Sequence, residues 1–107
     1  MSATYQVIPA VLARGGNLLC PVCQFDYVHH STVVVYNRDK EDSHTGLVTD
    51  VGKSGTTTVR AHNMAGNPSA RRDGIRIACE CEEGHSFYLT VSQHKGQTYI
   101  ETWEIPS

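Results

Sequence analysis

Long apolar runs are missing from this chain of 107 residues. No stretch approaches the roughly 20 consecutive apolar residues of a membrane-spanning helix. The opening Met1-Ser2-Ala3-Thr4-Tyr5-Gln6 lacks a basic segment followed by an apolar one, so no export signal is expected. Positive charge is also scarce. Nine Lys and Arg stand against eleven Asp and Glu, a net charge of −2, which offers no broad field to draw the protein onto nucleic acid or an acidic membrane. Aromatic residues make up only 7% and charged ones 19%, a globular composition with a thin core that a metal staple would help to hold.

Helical signals are missing as well. No ten-residue stretch has apolar spacing of period 3.6 with caps, so the expected class is all-β in a single domain spanning 1–107. Catalytic signatures are equally absent. Gly52-Lys53-Ser54-Gly55 lacks the spaced glycine and the following helix of a phosphate loop, and neither a Gly-x-Ser-x-Gly elbow nor a His-Glu-x-x-His helix occurs. No enzymatic activity is expected.

Against these absences stand Cys20-Pro21-Val22-Cys23 and Cys79-Glu80-Cys81-Glu82-Glu83-Gly84-His85. Two thiols separated by two residues fit one tight turn and offer two corners of a tetrahedron, and a second thiol-and-imidazole turn can supply the other two. Paired short spacings in a chain without an export signal favour one structural Zn2+ per chain in a reducing cytoplasm over disulfides. Pro21 stiffens the first turn. Gln24 stands where a glycine with positive φ is common, so that turn must either hold a side chain in that conformation or distort.

For the second pair, Cys79 and Cys81 lie roughly 6.5–7 Å apart along an extended strand. Two sulfurs on one zinc need about 3.7 Å, given bonds near 2.3 Å. Cys81 and His85 enclose a turn that contains Gly84. The preferred ligands are therefore Cys20, Cys23, Cys81 and His85. Cys79 becomes a small buried hydrophobe, with a role as alternative ligand left open, and His29-His30 is the one histidine pair to keep as a substitute. Four protein ligands leave no open corner for water, hence no Lewis-acid chemistry. A deaminase would need His-x-Glu before Pro-Cys-x-x-Cys, and Leu19 precedes Cys20.

The remaining pattern is strands and turns. Val7 to Leu12, broken by Pro9, reads as an edge strand or extended arm. Ser31 to Tyr36, Leu47 to Val51, Thr56 to Arg60 and Ile75 to Cys81 read as strands, and 62–74 is the longest irregular stretch. Phe87, Leu89 and Val91 alternate with Tyr88, Thr90 and Ser92. Lys95-Gly96 forms a hairpin turn that sets Val91 opposite Ile100, Tyr88 opposite Trp103 and Thr90 opposite Glu101. With Phe87, Leu89, Val91 and Ile100 in the core, the other hairpin face carries Tyr88, Tyr99 and Trp103. That face is either a partner surface or a second core layer beneath the Val33–Tyr36 strand or the N-terminal arm. Asp39, Glu41 and Asp42 read as a solvated loop. Arg71, Arg72 and Arg76 are able to grip phosphate or an acidic partner, or else they are solvated with Arg71 or Arg72 pairing Asp73.

Cys20 to His29, Cys81-Glu82-Glu83-Gly84-His85-Ser86-Phe87 and His94-Lys95-Gly96-Gln97-Thr98 together resemble small zinc-ribbon proteins of bacteriophages and actinobacteria. The resemblance implies zinc on Cys20, Cys23, Cys81 and His85 and such a source. It implies no activity.

The fold expected is an elaborated zinc ribbon, its two knuckles flanked by hairpins with an inserted set of strands between them, as a small barrel or sandwich with a zinc corner. The function expected is a non-enzymatic zinc-binding module in protein–protein interaction, on a host factor if the source is a phage. Arg71, Arg72, Tyr88, Tyr99 and Trp103 are its candidate contacts. The alternatives are a nucleic-acid-binding ribbon of the transcription-factor kind, which the acidic balance disfavours, and a virion assembly protein.

Overall fold

A computed structural model describes residues 6–52 and 55–105. Within them lie seven strands and no helix: β1 Gln6–Pro9, β2 Val28–Arg38, β3 Thr45–Val51, β4 Thr57–Asn63, β5 Gly74–Cys81, β6 Ser86–His94 and β7 Gln97–Glu104. All pair antiparallel in one open sheet of order β1-β7-β6-β5-β2-β3-β4. The strands inserted between the knuckles thus belong to the same sheet that carries the C-terminal hairpin, with β5 and β2 near its centre and β3 and β4 at one side. They form neither a separate barrel nor the second layer of a sandwich.

The β6–β7 hairpin has the expected register, with Val91 opposite Ile100, Thr90 opposite Glu101 and Tyr88 opposite Trp103. Lys95 and Gly96 both take positive φ, at 50° and 79°. Two such residues make the mirror-image turn whose twist matches that of the flanking strands.

β2 is longer than its run of β-branched residues. It begins at Val28 and carries a bulge: His30 pairs Cys79 and Val33 pairs Ile77, so Ser31 and Thr32 together oppose Ala78. The extra residue resets the two-residue alternation. Val28 and His30 before it, and Val33 and Val35 after it, therefore share one sheet face.

Two rows of that face are uncharged from edge to edge. One row runs Ile8, Thr102, Leu89, Ile77, Val33, Val51, Thr57, and the next runs Ile100, Val91, Ile75, Val35, Thr49, Val59. Neither row holds a charge. The segment leading into β2 covers one end of the face, where Leu18, Phe25 and Val28 pack on a core of Cys20, Cys79, Cys81 and the fully buried Phe87. Ile100, at the other end, is 54% exposed and lies outside that core, contrary to its expected place there.

The opposite face is covered at the opposite end. The 64–73 segment folds back over it, and Tyr36, Val48 and Met64 form a second small cluster with Val34 against it. A Cβ on Gly74 would collide with the Asn67 side chain and Pro68, so glycine is what lets this segment lie close. The Asn67 side chain donates to the Arg72 carbonyl at 2.8 Å and accepts from the Ser69 amide at 2.9 Å.

Candidate metal centre

Cys20 and Cys23 lie in the segment before β2, and Cys81 and His85 flank the turn between β5 and β6. The β2–β5 ladder brings them together. Val28 pairs with Cys81, so the chain preceding Val28 passes over the β5–β6 turn. The Glu82 amide donates to the Tyr27 carbonyl at 3.1 Å and fastens the two segments.

Each turn is closed by its own backbone. The Cys20 amide donates to the Phe25 carbonyl at 3.0 Å and the Gln24 amide to the Cys20 carbonyl at 2.9 Å. Gln24 takes φ 60°, so the non-glycine residue adopts the left-handed conformation and the turn keeps its form. In the second turn the Cys81 amide donates to the His85 carbonyl and the Gly84 amide to the Cys81 carbonyl, both at 2.9 Å, with Gly84 at φ 93°.

The sulfurs of Cys20, Cys23 and Cys81 and a ring nitrogen of His85 all lie within 4.8 Å of one another. Cys23 Sγ is 3.8 Å from Cys81 Sγ, and His85 Nδ1 is 3.4 Å from Cys81 Sγ and 4.0 Å from Cys20 Sγ. A tetrahedral ion bound at ~2.3 Å to sulfur and ~2.0 Å to nitrogen spaces its donors about 3.5–3.8 Å apart. The donor set therefore fits one metal ion, held through Nδ1 of His85.

Without a metal the thiols settle at unequal proton affinities. Burial pushes the Cys20 thiol up to about 11, against hydrogen bonds from the Cys23 and Val22 backbone. Burial also acts upward on Cys81. There it is outweighed by the backbone and ring of His85 and the backbone of Glu83, and the thiol falls to about 7. A bound cation would hold all three as thiolates.

Cys79 lies outside this group. It packs beside Phe87 and Cys81 with 6% of its surface exposed, and its thiol donates to the Ile77 carbonyl at 3.7 Å. Burial raises its proton affinity. Neither His29 nor His30 joins the group. His29 Nε2 meets Glu82 at 2.7 Å on the surface, a contact across the two segments that no sequence pattern signals. His30 lines a cavity of about 400 Å3 together with Leu18, Val28, Val33, Ile77, Cys79 and Leu89.

The remaining candidate residues are scattered. Arg71 makes a two-pronged contact with Asp42 at 2.5 and 2.7 Å, and Arg72 meets Glu41 at 3.0 Å. Their partners are thus the acids of the 39–42 loop. Asp73 instead accepts from the Arg38 amide at 2.9 Å. Tyr88, Tyr99 and Trp103 share a sheet face, yet Tyr88 lies beneath the Arg76 guanidinium, 4.8 Å from its ring centre, and Trp103 is half-buried. Tyr99 is 41% exposed at the far end beside His94. Gln6–Pro9 and Val33–Tyr36 are themselves strands of this sheet and lie in its plane. No family model, curated protein or solved structure matches the chain.

Proposed function

We propose that this protein is a non-enzymatic binding module of the zinc-ribbon kind, stapled by one structural zinc ion and engaging a protein partner. The observation that carries it is the closed group of Cys20, Cys23, Cys81 and His85, whose donor atoms lie within 4.8 Å of one another. Three thiolates and an imidazole are a soft donor set that suits zinc. Four protein donors fill a tetrahedron and leave no position for a reacting water. The metal then acts as a fold element, joining the β5–β6 turn to the segment before β2.

A protein partner is favoured by the largely uncharged sheet face, where Leu47, Val59 and Ile100 each expose about half of their surface. Nucleic acid is disfavoured because Arg71 and Arg72 are already engaged by Asp42 and Glu41. The resemblance to phage and actinobacterial zinc-ribbon proteins favours a cytoplasmic setting and, for a phage, a host factor as partner.

Metal analysis of protein prepared without chelator tests the first half: one zinc per chain is expected, and well below half an equivalent would refute it. Gel shifts in low salt test the second. No micromolar binding of single- or double-stranded nucleic acid is expected. Binding that weakens steeply with salt and disappears on charge reversal at Arg71 and Arg72 would replace the protein-partner reading.

A further inference from the structure

The two edges of the sheet are built differently. β1 is four residues long and ends in Pro9, a short edge that resists pairing. β4 is seven residues long and contains no proline, its ladder with β3 runs without a register shift, and every residue in it is exposed. Edge strands of this length are usually blunted by charge or a bulge. Here Arg60 is the only Lys or Arg of β4, and it is paired with Asp50.

The hydrogen-bond phase of β4 fixes what its free edge offers. At one end of the β3–β4 hairpin the Gly52 amide donates to the Thr56 carbonyl at 2.8 Å, and at the other the Met64 amide donates to the His44 carbonyl at 3.0 Å. Antiparallel ladders bond at every second pair, so Thr58, Arg60 and His62 turn their backbone groups toward β3. Thr57, Val59 and Ala61 turn theirs outward, where no strand lies among the described residues.

We propose that β4 pairs antiparallel with β4 of a second copy about a two-fold axis through Val59, forming a homodimer with one continuous sheet. In that register Val59 faces Val59 of the other copy and Thr57 faces its Ala61. These are the outward-bonding residues, and each such pair exchanges two N–H···O bonds. On the apolar face the contacts are β-branched or small. On the other face Arg60 falls opposite Thr58 rather than opposite its own counterpart, so no like charges meet. The sequence of β4 thus complements itself in this two-fold register, which pairs Thr57, Val59 and Ala61 among themselves and separates its arginines. That self-complementarity selects a second copy over an unrelated peptide. The inference rests on the sheet alone and stands whether or not the centre binds zinc.

Sedimentation equilibrium of the full chain tests it. A dimer is expected that dissociates on dilution, with the Thr57, Val59 and Ala61 amides exchanging more slowly as concentration rises. Val59→Pro removes an outward N–H that makes no bond to β3 and is expected to yield a monomer with unchanged metal content and circular dichroism. Should that variant fail to fold, Val59→Lys places two charges face to face at the axis and is expected to weaken association roughly tenfold or more. A native chain that stays monomeric into the high micromolar range would overturn the proposal. So would a dimer unaffected by either substitution, or β4 amides slowed only by a foreign extended peptide.

Discussion

Cys79 and Cys81 sit two residues apart on the same face of β5, both buried, and only Cys81 reaches the metal group. Its sulfur is 3.8 Å from Cys23, whereas the Cys79 thiol is turned to the Ile77 carbonyl beside Phe87. The strand rise separates the two positions too far for one ion, and the turn after Cys81 supplies His85 instead.

Cys79→Ala is therefore expected to retain a full equivalent of metal and to lower stability by about 1 kcal/mol, the cost of a small vacancy beside Phe87. Cys81→Ala and His85→Ala are expected to lose the metal. Metal analysis with thermal melts decides: loss in Cys79→Ala together with retention in His85→Ala would assign a four-cysteine site.

Metal uptake by stripped protein is expected to release protons at neutral pH. Burial holds the Cys20 thiol up at about 11, so it enters the reaction protonated and must leave as a thiolate. The Cys81 thiol, near 7, contributes only a fraction of a proton. Apparent affinity should accordingly fall as pH falls, because protons compete for the same sulfurs. Titration calorimetry in buffers of different ionisation enthalpy measures the number released; zero would contradict this thiol chemistry.

Tyr36 is expected to ionise late. Burial raises its hydroxyl above the ordinary value of 10.0, with the Arg76 guanidinium working partly against it. A group whose folded value is raised contributes stability that is complete below the unfolded value and is lost as pH rises through the folded one. Near-ultraviolet titration should therefore resolve one delayed tyrosinate. Tyr36→Phe should abolish that phase, and alkaline unfolding should begin as Tyr36 ionises.

Asp42 is expected to remain ionised below its ordinary 3.8, held there by hydrogen bonds and charge from Arg71. Its contribution is present above the unfolded value and fades as pH falls through the folded one. The pair is solvent-exposed, so the readout is the carboxyl shift by NMR rather than a melt. Arg71→Ala should return Asp42 to the ordinary range; an unmoved midpoint would mean that the contact does not persist in solution.

The β6–β7 hairpin was legible because alternation fixes the face and Lys95-Gly96 fixes the turn, two local signals in agreement. The four candidate ligands were legible from spacing. That one sheet brings both knuckles together was not, because the β2–β5 pairing joins residues far apart in the chain and their strand runs carry no label for a neighbour. The bulge at Ser31-Thr32 was hidden inside a uniform β-branched run. Nearness in sequence points Arg71 or Arg72 to Asp73, whereas folding carries the 39–42 loop to both of them. Ile100 looked like core by alternation, but alternation names a face and does not say whether anything covers it.

The covers on opposite faces and opposite ends give this sheet two half-cores instead of one. Val28 of β2 packs in the Phe87 cluster, and Val34 and Tyr36 of the same strand pack in the Met64 cluster, with the bulge between them. The halves are joined through β2, which carries the bulge, and through β5, which runs from Cys81 and Cys79 to Gly74 opposite Tyr36. Withdrawing the metal is therefore expected to loosen the knuckle end before the Tyr36 end, with amide-exchange protection falling first around Phe87 and Cys81.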